Sequence, residues 1–300
     1  MLICPMQIAS FIAMLAASAA LWACGDRGYS QPPPTIETRA TIMPSEVTIK
    51  LGEMGQSLAQ RYPDNVKIQH QPAGLDFYEL DWEHSRGTVR IDHGRHSLVI
   101  EDVLGVMSSQ DLEEFKLEGL KAFYISAGIT APDLIAHDEA RLKTYAILRR
   151  ILDAGWKQVI ERSEPRLKGK ARQDYTLSTS NLNGLDATYL PTFEEWMLIQ
   201  SRTPWSFYAN GLYMEINFTR ERTLTDPKKP GSYLLTFNIK TETEYFRGYA
   251  GPDNRSRWKE AVPQELVKVA AQRTRKESEL RAKGVAIDET YQDPPIPNMK

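Results

Sequence analysis

The chain of 300 residues contains only two cysteines, Cys4 and Cys24, and none follows them. Residues 25–300 therefore have no thiol, which excludes disulfides, thiolate metal sites and a cysteine nucleophile from that part of the chain. Motifs with a known chemical mechanism are also missing, since no G-x-G-x-x-G, Walker-type loop, H-E-x-x-H or C-x-x-C occurs. Dinucleotide, nucleoside-triphosphate and zinc-protease chemistry thus have no sequence support.

Charge is absent from the beginning of the chain, where Asp26 is the first acidic or basic residue. Apolar residues run from Ile8 to Leu21, as in the hydrophobic region of a signal peptide. The segment Leu21-Trp22-Ala23-Cys24 resembles the lipobox of bacterial lipoproteins. That resemblance implies cleavage before Cys24 and attachment of lipid, palmitate included, to this residue. An uncleaved N-terminal transmembrane anchor and an ordinary secretory signal peptide remain the alternatives.

The residues after Cys24 predict how the protein is held at the membrane. In lipoprotein families, an Asp directly after the lipidated Cys tends to retain the protein at the inner membrane, and here that place holds Gly25. The resemblance therefore favours the outer membrane of the bacterial cell envelope, with the protein facing the periplasm. Pro32, Pro33 and Pro34 favour an extended, stiff spacer. We predict a signal peptide at residues 1–23 and a proline-rich tether at 24–44.

The remaining composition is that of a folded chain, with 41% hydrophobic and 25% charged residues. A net charge of −2 argues against a nucleic-acid partner, which requires a basic surface. Strand and helix patterns alternate, and they predict an α+β fold in which helices pack on antiparallel sheets. A polar stretch from Glu164 to Arg172 divides the chain into an α+β domain at 45–164 and another at 173–300, the latter with a C-terminal helix and an extended tail. Whether the two halves are similar stays open.

Several elements are predicted from their periodicity. Apolar residues alternate with polar ones in 212–219 and 233–240, which is typical of strands that bury one face. The apolar stripe that ends at Leu152 predicts a helix from Pro132 or Asp138 to Asp153. Ser108 to Asp111 resembles a capping box and predicts the start of a short helix. Pro263 is expected to open a charged helix that ends near Lys283.

Three groups of residues are candidates for a reaction centre. Ser126 follows a predicted strand, yet it lacks the first glycine of a nucleophile elbow and a suitably placed histidine. Glu194 and Glu195 are a carboxylate pair near Trp196 and Trp205, which would suit glycan hydrolysis, but adjacent helical residues point in different directions. A predicted hairpin carries His84, His93 and His96, and imidazole is a common zinc ligand. No acidic residue follows them at the spacing that is typical of metalloproteases. We therefore assign no catalytic residue, cofactor or metal.

The overall plan of lipobox, short tether and folded module is similar to that of the periplasmic immunity lipoproteins that accompany type VI secretion toxins. The resemblance implies a protein that binds a toxin and occludes its active site. Functional residues concentrate on loops, so the expected contacts lie in two of them, at 92–95 and 220–230. The contact residues expected there are Asp92, His93, Arg95, Lys228 and Lys229. An envelope hydrolase and a structural envelope-assembly lipoprotein remain the alternatives.

Overall fold

The computed structural model describes residues 43–82, 85–179 and 183–299. The predicted signal peptide, Cys24 and nearly all of the predicted tether lie outside these ranges, as does His84. All contacts, and all absences of contacts, are those of the described residues.

Twelve strands and six α-helices form in the described residues. The strands are β1 (Glu46–Ile49), β2 (Lys67–Gln71), β3 (Leu75–Asp81), β4 (Gly87–Ile91), β5 (Leu98–Asp111), β6 (Ala122–Gly128), β7 (Ile135–Ala136), β8 (Lys157–Val159), β9 (Trp205–Ala209), β10 (Leu212–Arg220), β11 (Pro230–Gly231) and β12 (Tyr233–Thr241). The helices are α1 (Gly55–Arg61), α2 (His137–Asp153), α3 (Gly169–Ser178), α4 (Phe193–Leu198), α5 (Glu242–Ala250) and α6 (Trp258–Ala282).

Ten of the strands form one sheet in the order β1-β4-β5-β6-β12-β10-β9-β8, with β3 paired to β5 and β2 to β3. All pairs are antiparallel except β1 with β4. The predicted α+β class with a mainly antiparallel sheet is therefore confirmed. Strand β12 hydrogen-bonds to β6 on one side and to β10 on the other, so residues from both predicted segments share this sheet.

The alternation predicted for β10 and β12 places their apolar residues on one face of the sheet. On that face, buried side chains of β6, β10 and β12 pack with α2 in one core. Tyr145 of α2 meets Trp205 of β9 edge to face, with 5.9 Å between ring centroids. Burying such large side chains supplies about 1.5–3 kcal/mol each, so this face accounts for much of the stability.

Strand β5 is long and bent. Its pairing with β4 and with β6 shifts register near Val103, and Asp102 has a φ of 54°. Such bulges re-aim a strand. The connection between β4 and β5 reaches the end of β9, where the His93 ring contacts the Ala209 carbonyl at 2.9 Å. His96 contacts the Ala154 carbonyl at the end of α2.

Two predicted helix starts are wrong. Ser108 to Asp111 belong to β5, because Ser108 and Gln110 are buried and hydrogen-bonded instead of capping a helix. The Ser108 hydroxyl donates to the Ala122 carbonyl, and the Gln110 side chain accepts from the Gly55 amide. Helix α6 begins five residues before Pro263, at Trp258, because Trp258 and Val262 pack in a second apolar cluster with Phe246.

Helix α5 is fixed to the sheet through one buried cation. Arg247 is 1% exposed, and its guanidinium binds Glu118 at 2.7 Å and Glu244 at 2.9 Å. The ring of Phe115 lies 3.8 Å from the guanidinium carbon. Glu244 also binds Arg255, so four charged groups and one aromatic ring hold α5 against the loop that precedes β6.

We expect Arg247→Met to destabilise the protein by about 3 kcal/mol, because it leaves Glu118 without its ion-pair partner and removes the buried cation from Glu244, which keeps Arg255. Arg90→Met is the matched control, since the Arg90–Glu46 pair is exposed on both sides and should contribute less than about 1 kcal/mol. Urea unfolding of the full-length protein measures both. Equal losses for the two variants would contradict the role given to Arg247.

Candidate binding surface

The face of the sheet opposite the core carries a row of residues that pair directly across six strands. Strand register brings them side by side, and directly paired residues point to the same side. This open row consists of Glu79, Met107, Tyr124, Asn238, Glu215 and Ser206, in the order β3-β5-β6-β12-β10-β9.

The centre of this row is accessible to solvent in the described part of the chain. Met107 and Tyr124 are each 39% exposed, and Glu215 is exposed as well. Their chain neighbours Val106, Ile125 and Ile216 point into the core and are buried. The same alternation that builds the core therefore presents a mixed apolar and polar surface on the other side.

A cavity of about 90 Å³ opens at the β9 end of the open row. Glu161, Ser206, Glu215, Asn238, Lys240 and Tyr245 supply its polar lining. Tyr245 comes from α5, and Glu161 comes from the segment after β8, so the cavity combines the sheet face with two flanking segments. We call it the acceptor pocket, because carboxylate, amide and hydroxyl oxygens predominate in its lining.

The two carboxylates of the pocket are held in different ways. Glu161 accepts hydrogen bonds from the hydroxyls of Tyr245 and Tyr249, one on each carboxylate oxygen. Partial desolvation raises the pKa of Glu215 above the usual carboxyl value, and nearby Glu161 adds to the effect, while Lys240 and Asn217 oppose it. Ionised Glu215 is consequently less stable here than in open water.

The predicted contact residues of the β4–β5 connection lie partly on the surface. Asp92 and Arg95 are exposed and line an open depression with Lys50 and Asn210. His93 is half-buried, and its ring is used in the contact with Ala209. Of the three, the structure thus leaves Asp92 and Arg95 accessible, while His93 joins the connection to the second half of the chain.

Lys228 and Lys229 lie at an exposed turn between β10 and β11. Asp226 orders this turn by accepting from the Lys228 amide and pairing with Lys229 at 3.4 Å. The turn follows the end of β10, whereas the 92–95 connection contacts the turn before its start. The nine residues of β10 lie between the two loops, and a strand of this length spans about 25 Å. The two predicted contact loops therefore do not form one patch.

The turn with the two lysines is anchored by a buried polar cluster that sequence reasoning missed. The Tyr233 hydroxyl contacts a ring nitrogen of His137 and accepts from Trp196 and Arg220. Desolvation and the Arg220 charge lower the pKa of His137, which favours the neutral imidazole. Gly231 is required beside it, because a Cβ there would lie 2.3 Å from the His137 ring.

The residues weighed for catalysis have other roles in the structure. Glu195 completes a capping box with Thr192 at the start of α4, and Glu194 is exposed. Trp196 and Trp205 are fully buried, so no aromatic cleft accompanies these carboxylates. Ser126 lies inside β6 opposite Thr236, not at the strained turn that a nucleophile elbow requires.

Sequence reasoning recognised that β10 and β12 have a polar face, but it did not identify Met107, Tyr124, Glu215 and Asn238 as one surface. A signal was present, since Glu215 and Asn238 stand on the polar side of two alternating strands. What the sequence lacks is the register that sets them opposite each other, which depends on long-range pairing.

The described residues contain neither a candidate membrane-spanning helix nor a candidate metal-binding group. None of the helices there has the length and apolar character needed to cross a membrane. No group of three or more histidine, cysteine or acidic side chains is arranged to hold a metal ion there.

Comparisons with known proteins also gave no match: no protein family, no curated protein sequence and no solved structure is significantly similar to this chain. The function must therefore be argued from the surface itself.

The raised pKa of Glu215 predicts a pH-dependent effect on stability. The folded protein binds this proton more tightly than the unfolded chain, so ionisation of Glu215 reduces stability as pH rises through its pKa. Glu215→Gln should therefore raise the melting temperature at pH 7. This increase in melting temperature should vanish at about pH 3, where ordinary carboxyls are protonated.

Glu221→Gln is the control of opposite sign. Hydrogen bonds from Thr223 lower the pKa of Glu221, so its ionised form stabilises the fold and removing it should lower the melting temperature at pH 7. Thermal unfolding of the full-length protein between pH 3 and 8 measures both variants. A lower melting temperature for Glu215→Gln at pH 7 would contradict this assignment.

Proposed function

We propose that the protein is a lipid-anchored binding protein of the bacterial envelope that neutralises a secreted toxin by occluding the toxin's active site. The observation that carries this proposal is the exposed sheet face, on which Met107 and Tyr124 lie in one row with Glu215, whose carboxylate forms no ion pair with another described residue. Aromatic residues and methionine are enriched at protein interfaces, and a few central anchors contribute most of the binding energy. The resemblance of Leu21 to Cys24 to a lipobox supports the location.

The size of the face suits a protein partner. Five steps between the six strands of the open row span about 24 Å, and strands of five to nine residues add a similar length. The product of these lengths, about 600 Å², is an upper bound on the open area, because α5 covers Tyr213 on this face. Each partner contributes roughly 800 Å² to a standard interface, so loops at the rim would supply the rest. Asp92, Arg95, Lys228 and Lys229 remain candidate rim contacts at the two ends of β10.

Two alternative functions are an envelope hydrolase and a structural envelope-assembly lipoprotein. A glycan hydrolase based on Glu194 and Glu195 loses support, because Glu195 caps α4 and the nearby tryptophans are buried. A structural role in envelope assembly would use the same exposed face. The two remaining functions differ in one respect, since only an immunity protein protects the cell against a toxin delivered by its siblings.

The test of neutralisation is a competition assay. Cells that lack this protein should be killed by secretion-competent siblings, and the wild-type gene should restore survival. The double variant Met107→Ala/Tyr124→Ala should fail to protect, because losing two interface anchors of about 2 kcal/mol each weakens binding by about three orders of magnitude. Protection by the double variant at the wild-type level would refute the assignment of this face.

The control is Leu117→Ala/Leu198→Ala, which removes two exposed apolar side chains outside the open row. This variant should protect as well as the wild type. Survival of cells lacking the protein, with no dependence on the siblings' secretion system, would favour a structural envelope role.

Anchoring has its own test. Cys24→Ala should abolish labelling by a palmitate analogue and release the protein from the membrane fraction, because the lipid is attached to this residue. Cys4→Ala is the matched control and should leave labelling unchanged, since Cys4 precedes the cleavage point. Continued labelling of Cys24→Ala would contradict the lipoprotein assignment.

A further inference from the structure

The acceptor pocket at the β9 end of the open row has an unusual balance of charge. Two carboxylates, Glu161 and Glu215, line it against the single ammonium group of Lys240. Neither carboxylate forms an ion pair with another described residue. Elsewhere in the protein, by contrast, Glu244 and Glu277 lie within ion-pair distance of arginines.

Asn238, which lines the same cavity, has a side-chain acceptor that lacks a donor. The Oδ1 atom of Asn238 is buried and has no partner among the described residues. A buried polar atom without a partner destabilises a protein, because it has lost its hydrogen bonds to water. Such atoms are rare in folded proteins, so the pocket is better suited to a ligand that donates hydrogen bonds than to empty space.

The wall of the pocket is aromatic and rigid. Tyr245 lines the cavity, and its ring stacks on Tyr213 with 3.7 Å between centroids and 3° between planes. Its hydroxyl is fixed by Glu161, and the hydroxyl of Tyr249 binds the same carboxylate. A rigid aromatic surface next to carboxylates is a favourable environment for a flat cation.

We infer that the acceptor pocket receives one arginine side chain of the protein partner, with the guanidinium between Glu215 and Glu161. This inference rests on the proposed function, because it assigns the chemistry of one contact on the same face. A guanidinium offers five donors in a planar fork, which can satisfy a carboxylate, the Asn238 oxygen and the Ser206 hydroxyl together. It also neutralises the excess negative charge.

An arginine fits the pocket better than a lysine. An ammonium group is a compact charge with three donors, and it loses a larger hydration shell on entering a cavity. The acceptors here are spread over β9, β10, β12 and the Glu161 segment, which matches a fork.

The experiment titrates the full-length protein with N-acetyl-L-arginine amide and follows binding by NMR. The corresponding lysine and norleucine amides are titrated separately for comparison, because their side chains are similar in length but carry an ammonium group or no charge. The arginine amide should bind with millimolar affinity, at least about tenfold more tightly than the lysine amide, and the norleucine amide should not bind. Equal binding of arginine and lysine amides would overturn the inference of a guanidinium site.

Three variants make the result specific. Glu215→Gln should weaken binding of the arginine amide at least about tenfold, whereas Lys240→Gln should strengthen it severalfold by removing the competing cation. Because a misfolded protein does not gain affinity, the Lys240 variant separates a binding effect from a folding defect. Glu194→Gln changes an exposed carboxylate outside the open row and should leave affinity unchanged. An unchanged affinity in Glu215→Gln would overturn the inference.

The outcome is separable from that of the proposed function. If the arginine amide binds as expected but the protein protects no cell from a toxin, the pocket assignment stands and the immunity function fails. If Glu215→Gln protects cells as well as the wild type, the immunity function stands and the role of the pocket in partner binding is refuted.

Discussion

The pairing of β12 with both β6 and β10 is the constraint on which the rest of the structure depends. All three strands alternate, so one register decides which side chains enter the core and which face outward. Phe123, Phe237 and Ile216 are buried by this register, and Tyr124, Asn238 and Glu215 are set in one line on the opposite face. A shift of one residue would exchange the two faces. The core and the proposed binding surface therefore have a common origin.

The local parts of this arrangement could be predicted from the sequence. The alternation in 212–219 and 233–240 was sufficient to identify β10 and β12, and the stripe up to Leu152 identified α2. Prediction failed where burial overrode local preference. Ser108 and Gln110 have the composition of a helix cap, but they are buried in β5 with hydrogen bonds to Ala122 and Gly55. Long-range pairing, not local sequence, decides such cases.

The candidate site was harder to predict than the fold for the same reason. The loops at 92–95 and 220–230 carry strong turn signals, and sequence reasoning placed the contacts there. The acceptor pocket combines Glu161, Glu215 and Asn238, which belong to segments far apart in the chain. Its distinctive features are an unpaired carboxylate with a raised pKa and a buried oxygen without a donor. Neither property is visible before the strands are aligned.

The central claim is that the open row is covered when the protein binds its partner. Hydroxyl-radical footprinting tests this claim directly, because Met107 and Tyr124 are exposed and both react readily with the oxidant. We expect oxidation of both residues to fall severalfold in a complex with the proposed toxin partner, while oxidation of Leu117 stays constant. Unchanged oxidation of Met107 and Tyr124 in a fully formed complex would contradict this claim.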